Sequence, residues 1–181
     1  MTAASTGPVV IVDYDPDWPV RFERLRKALV PALADLVVSI EHVGSTAVPG
    51  LAAKPIIDVD LVIDSPLTVP AVVDRLAGLG YEHLGDLGIP GREAFRAPLP
   101  SRLDDGSPLR IAHHLYVVCS DSAELTRQIA FRDALRSNVA LAQEYAELKL
   151  RLAVALGHDR EAYTEGKTEF VRSVLDRVLA T

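Results

Sequence analysis

Two aspartates, Asp58 and Asp60, stand at alternate positions inside the apolar run Ile56-Ile57-Asp58-Val59-Asp60-Leu61-Val62-Ile63. A strand projects residues i and i+2 to one side, so both carboxylates share a face while Val59, Leu61 and Ile63 turn towards a core. Paired carboxylates repel and unpaired charge is costly to bury, so a cation between them is the expected resolution. Hard oxygen ligands suit Mg²⁺, which takes one or two carboxylates and leaves its other positions to water and substrate phosphates. Upstream, Gly44-Ser45 offers closely approaching backbone N–H groups and a hydroxyl, the donors a phosphate needs. Asp58 and Asp60 are thus candidate catalytic and metal residues, and Gly44 and Ser45 candidate nucleotide ligands. The competing reading, acidic residues solvated or capping at a strand end, fits poorly with apolar sequence on both sides.

Other groups could serve the same chemistry. The run Ile111 to Val118 carries His113-His114, with His114 sharing a strand face with Tyr116 and His113 sharing the other with Leu115 and Val117. A neutral imidazole near pH 7 suits a general base or a metal ligand, so His114 is a candidate catalytic residue; a hydrogen-bonded interior role competes. His42, just before the Gly-Ser turn, suits ordering that turn. Lys54, Arg92, Arg96, Arg110, Arg132, Arg136 and Lys167 are the cations to set against a triphosphate, arginine because its planar fork donates two parallel hydrogen bonds. Each is also readable as a surface charge. Cys119, in an apolar strand, reads as a small buried residue rather than a nucleophile.

The elements that must hold these groups follow from periodicity. Pro8 to Val12 reads as an edge strand or extended arm. Phe22, Leu25, Leu29, Leu33 and Leu36 recur at helical spacing, with Pro31 kinking or restarting that helix and Arg21, Arg24, Arg26 and Lys27 on a solvated face. Val37 to Val43 and Ile56 to Ile63 read as core strands. Val69 to Leu79 reads as a helix ended by Gly80, and Tyr81 to Leu84 as a further strand. Arg92 to Ala97 and Leu109 to Val118 read as strands flanking the loop Pro98 to Pro108, which is long enough for a lid. From Ser122 the pattern is helical. Leu125, Ile129, Arg132, Leu135 and Val139 share one face, Leu141 to Leu156 continue the period up to Gly157, and a last helix over about 166–179 buries Phe170, Val171, Val174, Leu175 and Val178. The expectation is a mixed sheet flanked by helices, α/β (α+β), in one domain over 1–181: a sheet-containing core to about 120 and a helical section over about 121–181.

Composition bounds the function classes. The chain has 181 residues, 49% hydrophobic and 24% charged, with a net charge of −6 and a pI near 5.3, which argues against broad nucleic-acid binding. One cysteine excludes an internal disulfide framework and suits a reducing cytoplasm. No secretory signal and no membrane-spanning run is visible, so a cytoplasmic, non-membrane location is expected.

A hydrophobic-Gly-Ser element followed after a spacer by Asp-x-Asp resembles the signature of the polymerase-β-like nucleotidyltransferase superfamily, and twelve residues separate Ser45 from Asp58. The string Glu41 to Asp58 resembles the GrpB family within that superfamily. Asp13 to Trp18, His113 to Val117, Phe131 to Arg136, Tyr163-Thr164 and Lys167 match as well, so the resemblance spans almost the whole chain. It implies a nucleotidyltransferase-like sheet and a Mg²⁺-dependent transfer of a nucleoside monophosphate from a nucleoside triphosphate to an unnamed small-molecule or protein acceptor. It also raises Lys54, Arg132 and Lys167 among the cations as nucleotide-binding residues. One departure stands out. The superfamily usually adds a third carboxylate on a neighbouring strand, but Glu82 lies in a weak strand, Asp104 and Asp105 lie in the loop, and the best strand carries the histidine pair. A non-catalytic nucleotide-binding or accessory module on the same fold therefore stays open, as does a hydrolase or isomerase using the histidines on a phosphorylated substrate. The resemblance adds that GrpB-type chains occur joined to dephospho-coenzyme A kinase, which suits an accessory role.

Overall fold

Trp18, Phe22, Leu25, Leu29 and Leu33 fall on one side of a helix, and that spacing builds α1 (Trp18–Leu33), with Pro19 in the first turn where no backbone donor is lost. Pro31 lies in its last turn, and the helix ends two residues later. The computed structural model describes residues 8–98, 101–102, 108–109 and 111–180. A five-stranded sheet is formed by β1 (Ser39–Val43), β2 (Ile57–Ile63), β3 (Glu82–Gly85), β4 (Arg92–Arg96) and, beyond the short pair β5 (Ser101–Arg102) and β6 (Pro108–Leu109), β7 (His113–Cys119). The order is β1-β2-β7-β4-β3; β2 and β7 are parallel and the other neighbours antiparallel. The expected lid falls mostly on residues outside those described, as does Arg110.

One face of the sheet is apolar. Val59, Leu61, Ile63, Leu115, Val117 and Phe95 pack there against α1 and against Val72 and Leu76 of α2 (Val69–Gly78). Each fully buried side chain of this kind contributes roughly 1.5–3 kcal/mol. The other face is divided. Its far part, Val62 and Val118, is covered by Leu125 and Ile129 of α3 (Ala123–Ser137). Its near part carries Asp58, Asp60, His114 and Tyr116 and faces the C-terminal helices.

Those helices differ from the sequence expectation in three places. Asn138 leaves the helical conformation and accepts a hydrogen bond from Leu141 N, so α3 ends and α4 (Val139–Leu156) begins there. Val139 is consequently 71% exposed rather than part of the α3 face. A short helix that the periodicity did not separate, α5 (Arg160–Glu165), is capped by Asp159, which accepts from Glu161 N and Ala162 N. α6 (Thr168–Leu179) buries Val174 and Leu175 but leaves Val178 39% exposed. Between α5 and α6, Gly166 sits so close to α4 that a Cβ would lie 2.6 Å from Leu152 Cδ2. The N-terminal segment is an arm outside the sheet, tied by Val12 and Ala53 exchanging two hydrogen bonds of 2.9 Å and by Val9 N donating to Gly157 O. Among the described residues no helix is long and apolar enough to cross a membrane.

Candidate functional site

The register sets the site. Asp58 lies between Val43 and His114 on the neighbouring strands, and Asp60 between Glu41 and Tyr116. All the polar members of these rows share one face. His114 Nδ1 is 2.8 Å from Asp58 Oδ1. A carboxylate only accepts, so Nδ1 donates in this contact, and in the neutral ring Nε2 carries the lone pair on a half-exposed side chain.

Gly44 brings the Gly-Ser turn onto this face. Its φ of +70° is left-handed, and a Cβ built on it would lie 2.3 Å from Asp58 Oδ2. The 3₁₀ turn Ser45–Ala47 follows, and His42 braces it: the ring stacks on Phe22 at 4.7 Å and its Nε2 is 2.9 Å from Thr46 Oγ1. Burial holds His42 down at about 4, so it stays a neutral bracing group, the ordering role its position suggested. Gly44→Ala should therefore both strain the backbone and push Asp58 aside. The expected result is a protein destabilised by about 1–3 kcal/mol whose His114–Asp58 contact is lost, read by denaturant melts and a crystal structure. An alanine variant with an undisturbed Asp58 would contradict that account.

Asp60 is 0% exposed, and both of its carboxylate oxygens lack a hydrogen-bond partner among the described residues. Burial first, then the Asp58 and Glu124 charges, push it up to about 7, with Arg92 opposing. The donor set fits Mg²⁺: two carboxylates on one face, one of them without any protein partner, leaving further positions to water and phosphate. No cluster of three or more His, Cys, Asp or Glu suited to a metal occurs among the described residues. The linkage has a definite sign. Because the folded carboxyl holds its proton more tightly than the unfolded one, stability falls as pH rises from about 4 to about 7. In chelator, wild-type protein should lose a few kcal/mol, on the order of 2–4, across that window. Asp60→Asn should flatten the loss in chemical denaturation at stepped pH; equal slopes would remove this role.

Two clefts meet at Asp58. The larger, about 340 Å³, is lined by Gly44, Ser45, Arg92, Tyr116, Phe131 and Tyr145, among others, and reaches Lys167. The smaller, about 250 Å³, is lined by Ser45, Lys54, His114, Lys149, Tyr163 and Lys167. Ser45, Asp58 and Lys167 belong to both. Lys54 and Lys167 stand on the Tyr163 ring at 4.3 and 4.6 Å from its centroid. Burial and then the Lys54 charge hold Lys167 down at about 8. Lys149 is 2% exposed, donates to the Ala52 carbonyl, and is held down at about 7 by burial and then by Lys167.

The other expected cations separate clearly. Arg132 lines the larger cleft, but its guanidinium is engaged by Glu41 at 3.1 Å, Asp133 at 2.8 Å and the His42 carbonyl at 3.1 Å. Arg136 donates to the Ala47 carbonyl. Arg92 lies over the Tyr116 ring at 4.4 Å and 3.9 Å from Glu124, in the cleft wall. Arg96 pairs with Glu82 at the sheet edge, away from the aspartates. His113 is an interior group, 2.8 Å from Tyr81 Oη and 2.8 Å from the Ile111 carbonyl. Cys119 is a free, partly buried thiol.

The sequence reading missed four neighbours. Glu41 lies beside Asp60 through a register that no sequence pattern displays, and Glu124 arrives with α3. Lys149 and Tyr145 had a visible signal, a lysine four residues after a tyrosine within the apolar face of α4. Tyr145 also shares a hydrogen bond with Ser45.

Known proteins share the sequence pattern and the fold of this chain. The profile of the family described as GrpB protein matches residues 8–177. A UPF0157 protein of Pseudomonas aeruginosa is 40% identical over 177 residues, covering 98% of this chain and 70% of that protein. The glutamate-rich protein GrpB of Alkalihalophilus pseudofirmus is 32% identical over 98% of this chain and all of its own length. Among solved structures, a conserved protein GrpB from Enterococcus faecalis superimposes with a TM-score of 0.80 at 32% identity, covering 94% of this chain and 98% of that one.

Proposed function

Since the chain belongs to the GrpB family, we propose that it is a Mg²⁺-dependent nucleotidyltransferase, moving a nucleoside monophosphate from a nucleoside triphosphate to an acceptor hydroxyl or amine. The observation that carries this reading is Asp60, a buried carboxylate without a hydrogen-bond partner among the described residues, on the same face as Asp58 and beside a Gly-Ser turn. Asp58 and Asp60 would hold Mg²⁺, which supplies charge neutralisation to the triphosphate oxygens. Ser45 and Lys167 border both clefts and are placed to bind phosphate oxygens. The larger cleft, with Phe131, Tyr145 and Tyr116 in its wall, has the apolar surface a nucleoside needs. His114 Nε2 takes the proton from the acceptor as its oxygen or nitrogen bonds to the α-phosphorus. The bond from that phosphorus to the bridging oxygen breaks, and its electron pair leaves with pyrophosphate.

A second reading, a nucleotide-binding or accessory module, draws on the state of the other carboxylates. Glu41 is held by Arg132, and Glu124 faces Arg92, so neither stands free as a third acid. Incubation with each nucleoside triphosphate labelled at the α-phosphate, Mg²⁺ and a metabolite extract separates the two. Transfer of label with release of pyrophosphate supports the enzyme; Mg²⁺-dependent binding without transfer supports the module.

A further inference from the structure

The two clefts differ in what they present around Asp58. His114 lines the smaller cleft and not the larger. A group that gives its proton to His114 must therefore stand in the smaller cleft, while the larger has the aromatic wall suited to a nucleoside. The smaller cleft is cationic too. Lys54, Lys149 and Lys167 line it against one acid, Asp58. Among the described residues, neither the Lys54 nor the Lys167 ammonium makes a hydrogen bond or ion pair; both stand on the shared Tyr163 ring, within the field of Asp58. The exposed arginines Arg21, Arg26, Arg75 and Arg96, by contrast, all have carboxylate partners. Two like charges on one ring, part-buried and only partly offset by the Asp58 charge, are unfavourable in the empty protein and become favourable when an anion enters.

We propose that the smaller cleft is the acceptor subsite, and that the acceptor is a small metabolite bearing a phosphate monoester, bound by Lys54 and Lys167 with its hydroxyl or amine at His114. The Lys54 and Lys167 ammonium groups, held together on one ring, complement the roughly −1.5 to −2 charge of a phosphate monoester. A cleft of about 250 Å³ lies below the ~300–1,000 Å³ usual for drug-sized ligands, which suits a compact molecule rather than a nucleic-acid end or a protein side chain on a folded partner. Lys149, buried and bonded to the Ala52 carbonyl, adds field rather than direct contact. The inference rests on the nucleotidyltransferase reading for the role of the cleft, but the anion pocket itself is measurable without it.

Calorimetry on the full chain provides the test, with glycerol 3-phosphate as probe, glycerol and glycerate as controls, and an α,β-methylene nucleoside triphosphate with Mg²⁺ as the second ligand. The expected result is that glycerol 3-phosphate binds both the free and the nucleotide-loaded protein, while glycerol does not bind and glycerate binds more weakly. Lys54→Gln and Lys167→Gln should each weaken the probe by about tenfold or more, and Lys54→Gln should weaken the nucleotide by less than about threefold. Both variants replace part-exposed side chains, and an unchanged circular dichroism spectrum confirms folding. Displacement of the probe by nucleotide, or a larger loss of nucleotide than of probe in Lys54→Gln, places the triphosphate in the smaller cleft and overturns the proposal. Equal affinity for glycerate overturns the phosphate assignment. Lys54-dependent binding of the probe without any nucleotide binding retains the anion pocket and rejects the nucleotidyltransferase reading; no probe binding at millimolar concentrations rejects the pocket.

Discussion

Replacing both Asp58 and Asp60 with Asn should abolish the thermal stabilisation that Mg²⁺-nucleotide gives the wild-type protein, while leaving the empty protein as stable as before or more so. At a ligand concentration near 100 Kd the wild type gains about 2.7 kcal/mol, roughly 5–10 °C for a chain of this size. The double variant should show none of it. The empty variant stays stable because the substitution removes two like charges, one of them fully buried with neither oxygen bonded. Melts with nucleotide alone, Mg²⁺ alone and both together decide the matter. A shift in the double variant equal to the wild type's would refute the metal assignment, and a variant that unfolds in the empty state would refute the account of Asp60 as a strained charge.

His114→Ala should lower turnover by roughly 10²–10⁴-fold and leave nucleotide affinity nearly unchanged. The ring is half-exposed, and it meets Asp58 and the tilted Tyr116 ring, whose centroid is 6.2 Å away, so truncation should cost little stability. A positioning role for Asp58 through the 2.8 Å contact would instead weaken Mg²⁺-nucleotide binding in parallel with turnover. Single-turnover transfer of α-labelled nucleotide, measured beside affinity, separates these outcomes. Full-rate transfer in the variant would end the general-base assignment.

The sequence made the acidic face legible because strand alternation is local: Asp58 and Asp60 alternate with Val59 and Leu61, and the fold has no freedom to turn one without the other. The Gly-Ser turn was legible for the same reason, since only a left-handed residue tolerates the approach of Asp58. Pairings across the sheet were not. That Glu41 lies beside Asp60, or that β2 runs parallel to β7, depends on a crossover order that hydropathy does not encode. The break at Asn138 escaped the periodicity because α3 and α4 are both apolar on one side and a single capping residue separates them. The two lysines on Tyr163 come from different ends of the chain, so their meeting was visible only as isolated cations.

The Gly-Ser turn is also held from far along the chain. Arg132 donates to the His42 carbonyl across 90 positions of sequence, and Arg136 to the Ala47 carbonyl across 89. The loop that would cradle phosphate is therefore completed by a helix synthesised long after it, and contacts of such separation form late because closing the intervening chain costs entropy before they are gained. A nascent or refolding chain would build its sheet first and gain ligand affinity last. Pulsed hydrogen exchange should show the amides of residues 45–48 becoming protected together with α3, after those of β2 and β7; protection of the turn ahead of α3 would contradict that order.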